Sequence, residues 1–135
     1  MKTLSFSRLA AALLLTVSVG IAPVQAEALR HIDVQQAQQM KNQGALLVDV
    51  REPDEYAGGH APGSVLIPVG QLNQRLKELD GYQNKPVVLI CRSGRRSMAA
   101  AEILQKAGFG EIRNVVGGML AWEKTGLPMV QPVKR

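Results

Sequence analysis

The chain has 135 residues, a formal net charge of +5 and a single cysteine. A single cysteine can form no internal disulfide and has no second thiol to resolve an exchange, so we expect no dithiol chemistry. The sequence has only two histidines, and they do not have the spacing of metal ligands. We therefore expect neither a bound metal nor another cofactor. The positive excess is mild, which argues against a nucleic-acid surface and favours a local anion site.

The first 26 residues have the pattern of a secretory signal peptide. Lys2 and Arg8 carry its only charges, residues 9–21 are almost wholly apolar, and small residues precede a cleavage point after Ala26. The apolar stretch is shorter than the roughly 20 residues that a spanning helix needs. We therefore predict a signal peptide over residues 1–26, no stable membrane insertion, and a periplasmic or secreted single domain over residues 27–135 that begins at Glu27.

Strand and helix patterns alternate from residue 30 onward. Each expected strand is a short apolar run, and the expected helices have caps or breakers such as Asp33 and Gly44. The expected strands are 30–32, 46–50, 65–67, 87–90 and 112–116. The expected helices are 34–42, 53–57, 71–79, 98–106 and 118–124. This alternation predicts an α/β fold with a mostly parallel sheet flanked by helices on both faces, and a loose tail after Gly126 and Pro128.

The strongest functional signal follows the fourth strand. Cys91 ends an apolar run, and residues 92–97, here called the cysteine loop, carry three arginines before an alanine-rich helical pattern. A thiol between a strand end and a helix start meets free N–H groups and the positive end of the helix dipole, which lower a cysteine pKa. We therefore predict that Cys91 is a nucleophile, since a buried structural thiol rarely lies among so many cations. The candidate substrate-binding residues are Arg92, Ser93, Gly94, Arg95, Arg96 and Ser97.

Four motifs in this order resemble those of the rhodanese-type sulfurtransferases. They are DVREPDEY at 49–56, GHAPGS at 59–64 with Ile67-Pro68, CRSGRRS at 91–97, and VGGM at 116–119 with Ala121-Trp122. The resemblance implies a five-stranded rhodanese fold and a thiosulfate sulfurtransferase that needs no cofactor. Cys91 is then expected to take sulfane sulfur from a small anionic donor and to pass it from a persulfide to a thiol or cyanide acceptor.

Each part of the cysteine loop has an expected role in that chemistry. Successive N–H groups of the loop hold the persulfide anion, and Arg92 and Arg96 hold the sulfonate oxygens of thiosulfate as planar forks. Arg95 is expected to point to solvent. We expect the protein to act as a monomer on small molecules, with no nucleic acid as partner.

The remaining motif residues are assigned mainly to the scaffold. Asp49 and Arg51 either form a scaffold ion pair or contact the substrate, and the residues alone do not decide between these roles. Gly117 and Gly118 are assigned to turns or to close backbone approach. The side chains expected to serve the scaffold are Glu55, Tyr56, His60 as a hydrogen-bonded strut, and Trp122 as part of the core.

Two other functions stay open from the sequence. A phosphatase or arsenate reductase shares the fold and has an anion-binding cysteine loop, but that loop is one residue longer, follows a histidine and ends in an arginine. Here Ile90 precedes Cys91, and the sixth residue after the cysteine is Ser97. A non-catalytic sulfur-carrier or binding module is the second alternative, and such modules typically lack the nucleophile that this chain retains.

Overall fold

Five parallel strands form one sheet, in which the first strand of the chain lies beside the fifth, followed by the fourth, the second and the third. The computed structural model describes residue 3, residues 11–21 and residues 27–132. The strands are β1 (Leu29–Ile32), β2 (Leu46–Asp49), β3 (Val65–Leu66), β4 (Val87–Ile90) and β5 (Ile112–Val115). The α-helices are α1 (Val34–Asn42), α2 (Pro53–Ala57), α3 (Arg95–Lys106) and α4 (Gly118–Lys124). The predicted α/β class and the parallel sheet are confirmed.

The predicted leader lies largely outside the described residues. Lys2, Arg8 and the cleavage point after Ala26 belong to the part that is not described, so the signal peptide stays a prediction. Residues 11–21 form no helix or strand, and their large apolar side chains are exposed. Among the described residues, no helix is both long and apolar enough to cross a membrane.

Helix α1 begins where the sequence predicts, because Asp33 caps it. The Asp33 carboxylate accepts from the N–H of Gln36 at 2.8 Å, and the Gln36 side chain accepts from the N–H of Asp33 at 2.9 Å. This reciprocal capping box satisfies two backbone donors that the first turn leaves free.

The central strand β4 is buried on both faces, which explains its continuous apolar run. Val87 and Leu89 face one core cluster, and Val88 and Ile90 face the other. The first cluster includes Leu72, Leu79 and Leu104, and the second includes Val34, Met119 and Trp122. Cys91 follows β4 at the carboxyl edge of this buried sheet, where open α/β folds hold their ligands.

The helix predicted over 71–79 is wrong. Two short 3₁₀ helices, Val69–Gln74 and Leu76–Leu79, replace it, and Arg75 interrupts them with φ −115° and ψ 15°. The apolar spacing is nevertheless used, because Leu72 and Leu79 are buried in the core. The two short 3₁₀ helices therefore bury these leucines without a continuous α-helix.

Four strands differ from their predicted bounds by one residue, and larger differences occur at α3 and in the tail. Helix α3 begins at Arg95 and so includes the second half of the cysteine loop in its first turn. The predicted loose tail is wrong up to Val130, because Val130 pairs with His60 through N–H···O bonds of 2.8 and 3.1 Å. These backbone hydrogen bonds connect the segment around Val130 to the loop after α2.

Candidate active site at Cys91

The Cys91 sulfur lies inside the turn that joins β4 to α3. The N–H of Gly94 donates to Cys91 Sγ at 3.0 Å, and the Ser97 hydroxyl lies 3.3 Å from the same sulfur. Gly94 reaches this position in the left-handed region, with φ +107°, which only glycine adopts freely. The cysteine loop therefore bends back around its own thiol.

The Ser97 hydroxyl has two neighbours and only one proton. Its oxygen lies 3.1 Å from the Gly94 carbonyl oxygen as well as 3.3 Å from Cys91 Sγ. When Cys91 is a thiol, the S–H can donate to Ser97 while Ser97 donates to Gly94. When Cys91 is a thiolate, the hydroxyl can turn and donate to the sulfur, which stabilises the charged form.

The surroundings of Cys91 lower its pKa. Burial raises the pKa of the thiol, since the residue is 1% exposed and a charged sulfur loses its hydration there. Donation from the Ser97 hydroxyl and from the N–H groups of Ser97, Gly94 and Ser93 outweighs burial, so the net pKa lies below the usual value for cysteine. A lowered pKa increases the thiolate fraction near neutral pH.

Helix α4 fixes the cysteine loop from behind. The N–H of Met119 donates to the Cys91 carbonyl at 2.8 Å, and the N–H of Leu120 donates to the Arg92 carbonyl at 3.1 Å. A Cβ on Gly118 would lie 2.3 Å from the Cys91 carbonyl oxygen, so the two backbones can meet this closely only at glycine. This contact gives a physical reason for the close approach expected at Gly118.

The three arginines of the cysteine loop have different surroundings. Arg92 and Arg95 are exposed, whereas Arg96 is half-buried and both of its terminal nitrogens bond to Glu55. The Arg96 Nη2–Glu55 Oε2 distance is 2.8 Å. The fork of Arg96, predicted from the sequence to hold a sulfonate, is occupied by a protein carboxylate in this structure. A contact across 41 residues leaves no local sequence signal.

Asp49 and Arg51 form a scaffold ion pair. Arg51 Nη2 lies 2.7 Å from Asp49 Oδ2, and the side chains are 7% and 0% exposed. The same nitrogen donates to the Gly59 carbonyl at 2.8 Å. Because the pair is buried and its bonds are made within the protein, the structure favours the scaffold role over substrate contact.

The other residues assigned to the scaffold have matching contacts. The His60 ring stacks on Tyr56 with 3.7 Å between centroids, and His60 Nδ1 lies 2.9 Å from the Tyr56 carbonyl oxygen. The Tyr56 hydroxyl donates to the Ser64 carbonyl at 2.7 Å. Trp122 is 1% exposed and donates to the Pro128 carbonyl. Within the described part of the chain, no group of three or more His, Cys, Asp or Glu residues is placed to hold a metal.

Comparison with known proteins agrees with this fold. The family model described as rhodanese-like domain matches residues 33–125. A sulfurtransferase from Allochromatium vinosum is 40% identical over 87 residues, which is 64% of this chain and 79% of that protein. Thiosulfate sulfurtransferase GlpE from Pseudomonas syringae is 36% identical over 96 residues, 71% of this chain and 89% of that protein. The crystal structure of a rhodanese-related protein from Thermoplasma volcanium is similar with a TM-score of 0.67 and 33% identity, over 75% of this chain and 97% of that one.

Proposed function

Because the chain belongs to the rhodanese-like family, we propose that it is a thiosulfate sulfurtransferase with Cys91 as its nucleophile. The single observation that carries the proposal is the group of donors around the sulfur: the Gly94 N–H at 3.0 Å and the Ser97 hydroxyl at 3.3 Å. These donors favour a thiolate before the reaction and can hold a persulfide after it. The relative named thiosulfate sulfurtransferase supports the choice of donor.

In the first half-reaction, the Cys91 thiolate attacks the outer sulfur of thiosulfate. A new S–S bond forms between Cys91 Sγ and that sulfur, while the S–S bond of thiosulfate breaks and its electron pair leaves with sulfite. The product is a persulfide anion on Cys91, so the total charge is conserved. The loop N–H groups stabilise the anion because they are already oriented and need no reorganisation.

In the second half-reaction, an acceptor attacks the outer sulfur of the persulfide. Cyanide takes this sulfur to form thiocyanate, and the Cys91 thiolate leaves with the electron pair of the broken S–S bond. In the cell we propose a thiol as acceptor. The two half-reactions share no ternary complex, so the kinetics should be ping-pong.

The two alternatives differ from this proposal in what they would do with substrate. A phosphatase or arsenate reductase needs a loop that holds a tetrahedral oxyanion above the thiolate, whereas here the Gly94 N–H points at the sulfur itself from 3.0 Å. A sulfur-carrier or binding module would accept a persulfide without repeated turnover. A steady-state assay with both sulfur and phosphate substrates therefore separates all three functions.

The deciding experiment uses the only cysteine. Protein beginning at Glu27 should turn over thiosulfate and cyanide and should hydrolyse no aryl phosphate. Cys91→Ser should abolish sulfur transfer, and mass spectrometry after thiosulfate treatment should find one extra sulfur on the peptide that carries Cys91. Appreciable turnover by the serine variant, or phosphatase turnover that exceeds sulfur transfer, would refute the proposal.

We also propose that residues 1–26 direct export and are removed. The exposed, unpacked apolar side chains of residues 11–21 support this proposal, because they contribute nothing to the described core. The sulfur transfer would then take place in the periplasm or outside the cell.

A further inference from the structure

Arg96 is held by the Glu55 carboxylate, which accepts several hydrogen bonds. Glu55 Oε2 accepts from Arg96 Nη2 at 2.8 Å, and Glu55 Oε1 accepts from Arg96 Nη1 and from the N–H of Glu52. Glu55 therefore caps the first turn of α2 and binds α3 at the same time. Two parallel N–H···O bonds fix the guanidinium plane as well as its position.

Both residues of this pair are charged in the neutral range, and the Arg96 charge interacts with Cys91. The hydrogen bond to Arg96 lowers the pKa of Glu55 to about 2, so the carboxylate is ionised throughout the neutral range. Glu55 raises the pKa of Arg96, and the negative charge of Cys91 raises it further. Arg96 is thus positioned to stabilise the cysteine sulfur, while Glu55 already neutralises much of its attraction for a second anion.

Arg92 is placed differently. Its side chain, like that of Arg95, is exposed, and the described residues offer neither of the two a side-chain hydrogen bond or ion pair. Its backbone is fixed, because the N–H of Leu120 binds the Arg92 carbonyl at 3.1 Å. A free guanidinium on an anchored residue next to Cys91 can bind an incoming anion without first giving up a partner.

We propose that Glu55 and Arg96 form a lock, a bidentate ion pair that positions the cysteine loop, and that Arg92, the free arginine adjacent to Cys91, supplies the guanidinium that recognises the sulfonate of the donor. This assignment rests on the proposed sulfur transfer and refines it. It changes the role of Arg96 from substrate binding to positioning. It also makes Arg92 the residue that discriminates donors with a sulfonate from donors without one.

The test compares two donors across four variants. Arg92→Ala should lower kcat/KM for thiosulfate by roughly tenfold to a hundredfold, mainly through KM, because a charge-assisted contact is lost. The same variant should change kcat/KM for an alkyl persulfide, which has no sulfonate, by less than about threefold. Glu55→Gln and Arg96→Ala should lower kcat for both donors by equal factors. The Glu55→Gln/Arg96→Ala double variant should lose no more than the worse single variant, since the two residues act as a unit.

A second readout needs no sulfur transfer. Because Cys91 is the only cysteine, alkylation by iodoacetate, an anion, and by iodoacetamide, which is neutral, reports on the same thiol. Arg92→Ala should slow iodoacetate selectively. Glu55→Gln and Arg96→Ala should slow both reagents in the same proportion. If the wild type moved no sulfur from either donor, the proposed function would be refuted. The ratios of the two alkylation rates would still test whether Glu55 and Arg96 position the cysteine loop.

A matched control comes from another arginine–glutamate pair. Arg75, which lies between the two 3₁₀ helices and outside the cysteine loop, donates to Glu78 through Nε and Nη2. Arg75→Ala and Glu78→Gln should leave the ratio of the two alkylation rates unchanged. Urea unfolding of every variant separates a fold defect from a change at the site.

Two results would overturn the inference. A selective loss of thiosulfate or iodoacetate reactivity in Arg96→Ala would mean that Arg96 binds the donor. A gain in kcat/KM for thiosulfate in Glu55→Gln would mean that Glu55 competes with the donor for Arg96 and does not lock it.

Discussion

Ser97→Ala tests directly whether hydrogen bonding activates the thiol. The substitution removes one hydroxyl, which lies 3.3 Å from Cys91 Sγ, and leaves the N–H of Ser97 in the first turn of α3. Ser97 is fully buried, so no water replaces the hydroxyl without opening the loop. The contacts from Gly94 and Ser93 stay in place.

The expected shift in the Cys91 pKa follows from the hydrogen bond that the substitution removes. A hydrogen bond to a charged group contributes about 1.5–3 kcal/mol, and we take the lower end because sulfur is a weak acceptor at a long distance. About 1.5 kcal/mol corresponds to roughly one pKa unit. The pKa of Cys91 should therefore rise by about one unit in Ser97→Ala. At any pH well below the wild-type pKa, the thiolate fraction should then be about tenfold lower.

The assay is the pH dependence of iodoacetamide alkylation, followed by intact mass. The midpoint of the wild-type curve should lie below the ordinary cysteine value, and the Ser97→Ala curve should shift upward while the rates above both midpoints converge. Ser64→Ala is a matched control, because Ser64 also donates from a buried hydroxyl to a carbonyl, at 2.7 Å, but has no contact with the sulfur. An unchanged or lowered midpoint in Ser97→Ala would refute the assignment of the hydroxyl as a thiolate donor.

Three other predictions concern the scaffold and the leader. Gly118→Ala should destabilise the protein by roughly 2–5 kcal/mol in urea unfolding, because its Cβ would meet the Cys91 carbonyl oxygen and its φ is positive; Gly126→Ala, which has a positive φ but open space, should cost clearly less. If both substitutions lowered the free energy of unfolding equally, the close backbone contact at Gly118 would not be the cause. Because the folded-state pKa of Glu55 is about 2 against 4.5 in a free side chain, its stabilising effect should be complete above about pH 4.5 and fade as the pH falls toward 2. The wild type should exceed Glu55→Gln by on the order of 1 kcal/mol at neutral pH and converge with it in acid, and a constant difference across this range would contradict the ion pair. Exported protein should begin at Glu27 by N-terminal analysis, and full-length chain in the membrane fraction would exclude the predicted cleavage.

Local signals in the sequence were sufficient for most of the fold. The capping box at Asp33 places the start of α1, and the continuous apolar run of β4 places Cys91 at the sheet edge. These features depend on neighbouring residues, so periodicity and caps reveal them. The helix predicted over 71–79 is wrong because leucine spacing records which side chains are buried, and two 3₁₀ turns bury Leu72 and Leu79 equally well.

The sequence by itself determined that Cys91 follows a buried strand and precedes a helix in an arginine-rich loop. Only the tertiary structure decided that Arg96 is the arginine of the loop that is paired, because β2 and β4 are neighbouring parallel strands and the segments that follow them bring Glu55 to Arg96. The same is true of α4, whose N–H groups hold the carbonyls of Cys91 and Arg92. Such contacts join residues far apart in the chain and depend on how the sheet is ordered, so no local pattern encodes them.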